Sequence, residues 1–471
     1  MLDRRCFLGR TGAGIIGSAA LETLLRPRLF AEPANPTSLR RSHFPATAKR
    51  VIFLNMLGAP SQVDLFDYKP LLRKQNGNEI PPSAIRGQRF TTMTETTDRQ
   101  VFASPWRFSQ SGQNGAWFSE LLPNLRGIID DITLVRSMHT NEINHAPAQL
   151  FFQTGFARAG RPTLGSWVTY GLGSECENLP GFVVMTSGKA SRCGTTCWQS
   201  GFLPGVYQGV PFRSQGDPVL FLSNPNGIDR NLRRHSLDAI SNLNQINFEA
   251  TGDPEVLTRI ESFEMAFRMQ MSVPELTDLS SESAETLALY GAEPGQASYA
   301  NNCVMARRLI ERGVRFVQLD HGGWDHHGGG DQNLITNLPQ RCRQTDQASA
   351  ALIIDLKHRG LLDDTLVIWG GEFGRLPIAQ IPPDSRDAGR DHLRTAYTIW
   401  LAGGGIKRGA VVGRTDDWGL NVVEDSIHIH DLQATILHVL GLDHERLTFR
   451  HLGRDYRLTD VHGTVANKLL A

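Results

Sequence analysis

VRFVQL (Val314–Leu319) runs straight into Asp320-His321-Gly322-Gly323-Trp324-Asp325-His326-His327, and TLVIWG (Thr365–Gly370) into Gly371-Glu372-Phe373-Gly374-Arg375. Short aliphatic and β-branched runs of this kind read as buried strands of a parallel sheet. Each run gives way to a set of carboxylates, imidazoles and glycines. Ligands of open α/β sheets bind just beyond the carboxyl ends of the strands, and these are the side chains that hold divalent metals. The two stretches predict a metal-centred site on a mainly parallel sheet sandwiched by helices.

Other runs extend the pattern. Arg50–Leu57, Ile132–Ser137, Phe182–Met185 and Tyr397–Leu401 read as further strands. Ala146–Phe152, Val256–Met271, Tyr299–Arg312 and residues 345–359 carry helical spacing, and Asp431 reads as the N-cap of Leu432–Leu440, with Gly441 as its stop. Strands alternating with helices argue an α/β fold. Residues 49–471 read as one such domain, with a loop and helical insertion at about 188–313.

Lys plus Arg and Asp plus Glu both total 48, a balance that gives no reason to expect nucleic acid as a partner. No apolar run after the N-terminal segment approaches the roughly 20 residues of a membrane span. Asp3-Arg4-Arg5-Cys6-Phe7-Leu8-Gly9, followed by a modest apolar stretch from Gly12 to Leu25, reads as a twin-arginine signal over residues 1–31, with a linker over 32–48. The expectation is export to the periplasm or beyond. Of the five cysteines outside that segment, Cys193 and Cys197 form the nearest pair, and the odd number leaves a thiol over.

Asp325 and His327, two residues apart on a glycine-flanked loop, can converge on one ion. Glu372 also sits just past a strand, where it can ligate a metal, bind a cation or pair with Arg375. Asp391-His392 precedes a further strand.

These residues also carry a resemblance. Val51–Asp67, Asn144–Gly155, Gly322 to His327, Gly371 to Arg375, Gly389-Arg390-Asp391-His392, Thr415–Gly419 and His430–Ala471 resemble the exported bacterial family called domain of unknown function 1501. That family is similar to the alkaline phosphatase and sulfatase superfamily, which hydrolyses phosphate or sulfate esters at a two-metal or calcium site. The resemblance implies an alkaline-phosphatase-like fold. It matches Asp325 and His327 to the superfamily's metal-binding Asp/His pair, and His392 to the His near the C-terminal strand. Glu372 stands where a second pair has its Asp, and Phe373 where that pair has its His. The superfamily's Asp at the end of strand one is replaced by Leu57-Gly58, leaving Asp64 or Asp67 to substitute.

Sulfatases carry C/S-x-P-S-R with Thr-Gly ending the next helix. Here His145-Ala146-Pro147-Ala148-Gln149 is followed by Thr154-Gly155. His145 takes the nucleophile's place and Gln149 the arginine's. The resemblance therefore implies a divalent metal (Zn, Ca or Mg) held by Asp64, Asp325, His327, Glu372 and His392. His145 would be the catalytic base or a further ligand. Arg375 and Arg390 would bind the substrate, a small anionic ester or a sulfated or phosphorylated glycan. The function expected is an exported metal-dependent hydrolase of such esters; the alternative is a catalytically degenerate exported binding protein of the same fold.

Overall fold

Arg50–Leu57 (β1) is buried along nearly its whole length, and its side chains divide between two apolar cores. Ile52, Leu54 and Met56 join one, Val51 and Phe53 the other. That alternation is the geometry of a strand covered on both faces. The computed structural model describes residues 40–95, 98–213, 217–220 and 222–471. The expected signal peptide and the first part of the expected linker lie outside the described residues.

In chain order the principal elements after β1 are β2 (Thr133–His139), α1 (His145–Thr154), α2 (Leu164–Leu172), β3 (Phe182–Ser187) and β4 (Val210–Phe212). Then come α3 (Arg230–Thr251), α4 (Pro254–Thr277), α5 (Tyr299–Glu311), β5 (Phe316–Gly322) and α6 (Leu334–His358). The chain continues through β6 (Thr365–Gly370), β7 (Gly374–Ala379), β8 (Arg390–Leu393), β9 (Tyr397–Ala402), β10 (Val411–Val412), β11 (Ile427–His428) and α7 (Ile429–Val439). The main sheet runs β10-β2-β9-β6-β1-β5-β3-β4, with β11 beside β2. Every pairing in it is parallel except those of β9, which is antiparallel to β2 and β6. The α5 and α6 helices cover one face through Tyr299, Cys303, Leu338 and Leu352. On the other face lie α1, α2 and α7, with Phe152, Trp167 and Ile436. This is a mainly parallel sheet sandwiched by helices.

Four local readings differ from the structure. The strand expected at 314–319 ends at Gly322, so Asp320 and His321 lie inside the sheet opposite Asn55 and Met56. Asp320 Oδ1 accepts from Asn55 Nδ2 at 2.8 Å and Gln318 Nε2 at 2.9 Å. The helix expected from 345 begins at Leu334 and carries Pro339 inside it. Burial of Leu334, Leu338 and Cys342 on one face offsets the bond that Pro339 removes. Asp431 is not the N-cap of α7; His428 is, and Asp431 completes a capping box by accepting from the His428 N–H at 3.0 Å. Finally, residues 40–48 do not hang free as a linker. Arg40 N–H donates to Leu172 O at 3.0 Å and Thr47 N–H to Val439 O at 2.9 Å, which straps the segment to α2 and α7. No helix among the described residues is long and apolar enough to cross a membrane.

Candidate metal centre

The carboxyl ends of β1, β5 and β6 lie side by side, and each runs into a site residue: Gly58, then Asp325, then Glu372. The β2 strand points the same way, and the turn after it starts α1 at His145. A β7–β8 hairpin folds over this edge with His392 registered opposite Arg375. Gly58 has φ of +104°, and a Cβ there would lie 2.6 Å from the Asp325 nitrogen. That leaves no room for a side chain where the resemblance expects a strand-one carboxylate.

Four donor atoms converge here, from His145, Asp325, His327 and His392, all within 4.8 Å of one another. His327 Nε2 is 2.8 Å and His145 Nε2 3.0 Å from Asp325 Oδ1. His392 Nε2 is 3.0 Å from His327 Nε2 and 3.8 Å from Asp325 Oδ1. Donors around a tetrahedral zinc-like ion sit about 3.3 Å apart, from metal–nitrogen bonds of about 2.0 Å.

The outer side of each imidazole shows how the protons are placed. His145 Nδ1 meets Glu372 Oε1, His327 Nδ1 meets Gln380 Oε1, and His392 Nδ1 meets the Ile143 carbonyl, each at 2.6 Å. All three partners are acceptors, so the ring hydrogens sit on Nδ1 and the Nε2 lone pairs face inward. Two such lone pairs 3.0 Å apart repel unless a cation lies between them. His145 Nε2 is buried without a hydrogen-bond partner, its contact with Asp325 being short but not aligned as a hydrogen bond. A metal ion fits this donor set, and tying the outer nitrogen to an acceptor is how metal-ligating histidines are oriented. Phe373 packs on two of the rings, 4.9 Å from His145 and 4.5 Å from His392 between centroids.

The carboxylates of the centre draw positive charge to it. Burial pushes the Asp325 carboxyl up, but the Arg375 guanidinium and the three imidazoles packed against it outweigh burial and hold the group well below the usual carboxylate range. Burial lowers His145, yet the Asp325 and Glu372 carboxylates raise it overall. Glu372 is likewise raised by burial and lowered, on balance, by His145.

Of the residues expected to ligate metal, Asp325, His327 and His392 meet, and His145 joins them. Glu372 stands one layer back. Its carboxylate accepts from the Gly58 N–H at 3.1 Å and Gln149 Nε2 at 2.9 Å as well as holding His145. Asp64 does not reach the cluster: it is buried in a two-pronged pair with Arg390, Nε to Oδ2 at 2.7 Å and Nη2 to Oδ1 at 3.0 Å. That pairing also corrects the expected substrate role of Arg390, whose Nη1 donates to the Phe102 carbonyl. Arg375 is no substrate arginine either. It is buried, with its donors taken by Asp325 Oδ1 at 2.7 Å, Ala59 O at 3.1 Å, Arg390 O at 3.1 Å and Gly58 O. Asp67 pairs with Lys69 and Thr415. Sequence reasoning missed Gln380 and the Ile143 carbonyl, which carry no motif, and it missed Arg192 at the mouth of the site.

Among solved structures, the chain resembles the lipoteichoic acid synthase LtaP from Listeria monocytogenes, at 10% identity and a TM-score of 0.34 over 92% of this chain and 80% of that one. It also resembles Ps i-CgsB in complex with k-i-k-neocarrahexaose, at 9% identity and 0.37 over 84% and 72%. A third is alkaline phosphatase from the Antarctic bacterium TAB5, at 12% and 0.30 over 84% and 98%. No curated protein matches the chain. A family model matches residues 48–470, a span that holds every residue of the centre, and the chain belongs to that family, described as "Protein of unknown function (DUF1501)".

Proposed function

We propose that the protein is an exported, metal-dependent hydrolase of phosphate or sulfate esters whose ion is held by His145, Asp325, His327 and His392. The observation that carries this reading is the convergence of three inward Nε2 atoms on one carboxylate oxygen, each imidazole fixed from behind. Three imidazoles and a carboxylate suit zinc or a similar ion better than calcium or magnesium, which prefer oxygen donors. Structural zinc sites are closed. Here the side chains of His145 and Asp325 stay 10% and 16% exposed, which leaves the centre open on one side.

That side is a cavity of about 40 Å³ walled by Gly58, Gln149, Gly322 and Gln332. It has room for about two or three waters or one small oxyanion. A divalent ion bound at the centre supplies Lewis acidity toward an ester oxygen. The chain's own residues do the rest. Glu372 holds the Nδ1–H of His145, Arg375 offsets the Asp325 charge while fixing the Gly58 and Ala59 backbone, and Phe373 backs the His145 and His392 rings. No Ser, Thr or Cys is found among the described residues lining the cavity, so water is the attacking group in this reading. His145, with both nitrogens committed, serves as a ligand rather than the base. The same lack of a nucleophile favours one second reading, an exported protein that binds an anionic ligand without turning it over.

Metal analysis with an aryl phosphate and aryl sulfate panel tests both. Stoichiometric zinc-like metal with ester hydrolysis, lost on chelation and restored on reloading, supports the hydrolase. Bound metal without turnover leaves the binding protein, and a chain that takes up no metal refutes the metal-dependent hydrolase.

A further inference from the structure

Gln149, in the first turns of α1, has an amide that faces two ways. Nε2 donates to Glu372 Oε1, the atom that also holds His145. Oε1 accepts from Ser191 Oγ and from the Arg192 backbone N–H, both at 3.0 Å. A guanidinium has no acceptor, so an arginine at 149 could not hold this loop. The loop is closed on its far side by the Cys193–Cys197 disulfide, with Ser191 Oγ 3.0 Å from Cys193 Sγ. Its start is pressed on the end of β5, where a Cβ on Gly188 would lie 2.4 Å from the Gly322 carbonyl oxygen.

So fixed, the loop carries Arg192 to the mouth of the cavity. Its Nη2 lies 3.8 Å from Asp325 Oδ2, and its side chain is 64% exposed. The buried Arg375 guanidinium has no comparable freedom, and Lys189, the other cation at the mouth, pairs with Asp331 at 2.6 Å.

Resting on the metal-dependent reading above, we infer that Arg192 is the specificity-determining residue of this site. Its guanidinium takes a compact tetrahedral oxyanion, phosphate or sulfate, seated at the metal, and Gln149 positions it. The planar fork matches two oxygens of such a group. Only the oxyanion enters so small a cavity, so the rest of the ester lies in solvent beside this loop.

The test uses cobalt-loaded protein titrated with inorganic phosphate and, separately, inorganic sulfate, read from the visible cobalt spectrum, with cobalt content measured by mass spectrometry. Arg192→Ala should keep wild-type cobalt content and bind the preferred anion at least about tenfold more weakly. Arg192→Lys should recover only part of the loss, because an ammonium is a point charge rather than a fork. The anion that loses most on Arg192→Ala identifies the substrate class. Equal anion affinity in wild type and Arg192→Ala, or no anion response from fully loaded wild type, overturns the inference and leaves the metal centre standing. Loss of cobalt in Arg192→Ala overturns it too, since the residue would then serve the metal. A wild type that takes up no cobalt refutes the metal reading itself.

Discussion

Asp64 and Glu372 are both carboxylates beside the centre, and the structure gives them different work. Asp64 neutralises the fully buried Arg390. Asp64→Ala strands that guanidinium, and breaking a buried pair costs about 3–5 kcal/mol. Chemical denaturation should show a loss of that size, while the folded fraction keeps its metal; a folded, metal-free Asp64→Ala protein would restore Asp64 as a ligand. Glu372 orients His145 from behind. Outer partners of this kind are worth about 10–100-fold in metal affinity, so Glu372→Gln should weaken metal binding by that factor without abolishing it. Competition against a chromophoric chelator measures this. His145→Ala removes a donor and should abolish stoichiometric loading in the same assay. Asp325 and His327 were read from their spacing on a glycine-flanked loop after a strand, His392 from the resemblance, and the structure brings their donor atoms together. His145 was legible only by its register. What stayed hidden was the choice among carboxylates. Asp64 and Glu372 both sit near strand ends, and sequence does not show that Arg390 reaches one while a histidine turns its back on the other.

The helices and strands repeat that lesson. Apolar periodicity located β1, β6, β9 and α5 to within a few residues, because burial on two faces or one leaves a period of its own. It failed at α7 and at α6. Asp431 looks like a cap by residue type, but the turn is set three residues earlier, where His428 Nδ1 accepts from the His430 N–H. Pro339 looks like a helix boundary, although packing carries the helix through it. The His428 cap has a pH signature. Burial holds the His428 imidazole down at about 4, and burial likewise holds His321 at about 4 and His326 at about 3. Free imidazole titrates near about 6.5, so the unfolded chain binds protons that the folded one refuses. Stability is therefore complete above pH of about 6.5 and falls as the pH drops toward about 4. Asp320 and Glu261, raised by burial to about 6 and about 7, work the other way, as do the raised Asp346 and His145, while burial also lowers His392, to about 4, and His139, His430 and His444. The thermal midpoint of metal-free protein should fall between pH 7 and 4.5. His428→Asn, which keeps a capping oxygen, should flatten that slope; an unchanged slope would show that His428 does not contribute.

At the scale of the whole molecule, the sheet is assembled from distant parts of the chain. Export by the twin-arginine route, which carries folded cargo, is the proposal for delivering it. Replacing both Arg4 and Arg5 by Lys should leave the precursor in the cytoplasm, as judged by fractionation and blotting; undiminished periplasmic protein would contradict the proposal. The pairing of β1 gives that route a physical motive. Its neighbours in the sheet are β5 and β6, and Leu57 pairs with Gly322. A ribosome adds about 5–20 residues per second. The 265 residues from 57 to 322 thus take roughly 13–50 s to emerge. Throughout that interval the first strand to be made, apolar on both faces, has neither of its partners. A chain threaded outward as it was synthesised would meet this delay on the far side of the membrane, with only extracytoplasmic helpers to shield the strand. A chain retained until its last strand is made closes the sheet among the cytoplasmic chaperones, with the metal-loading machinery at hand.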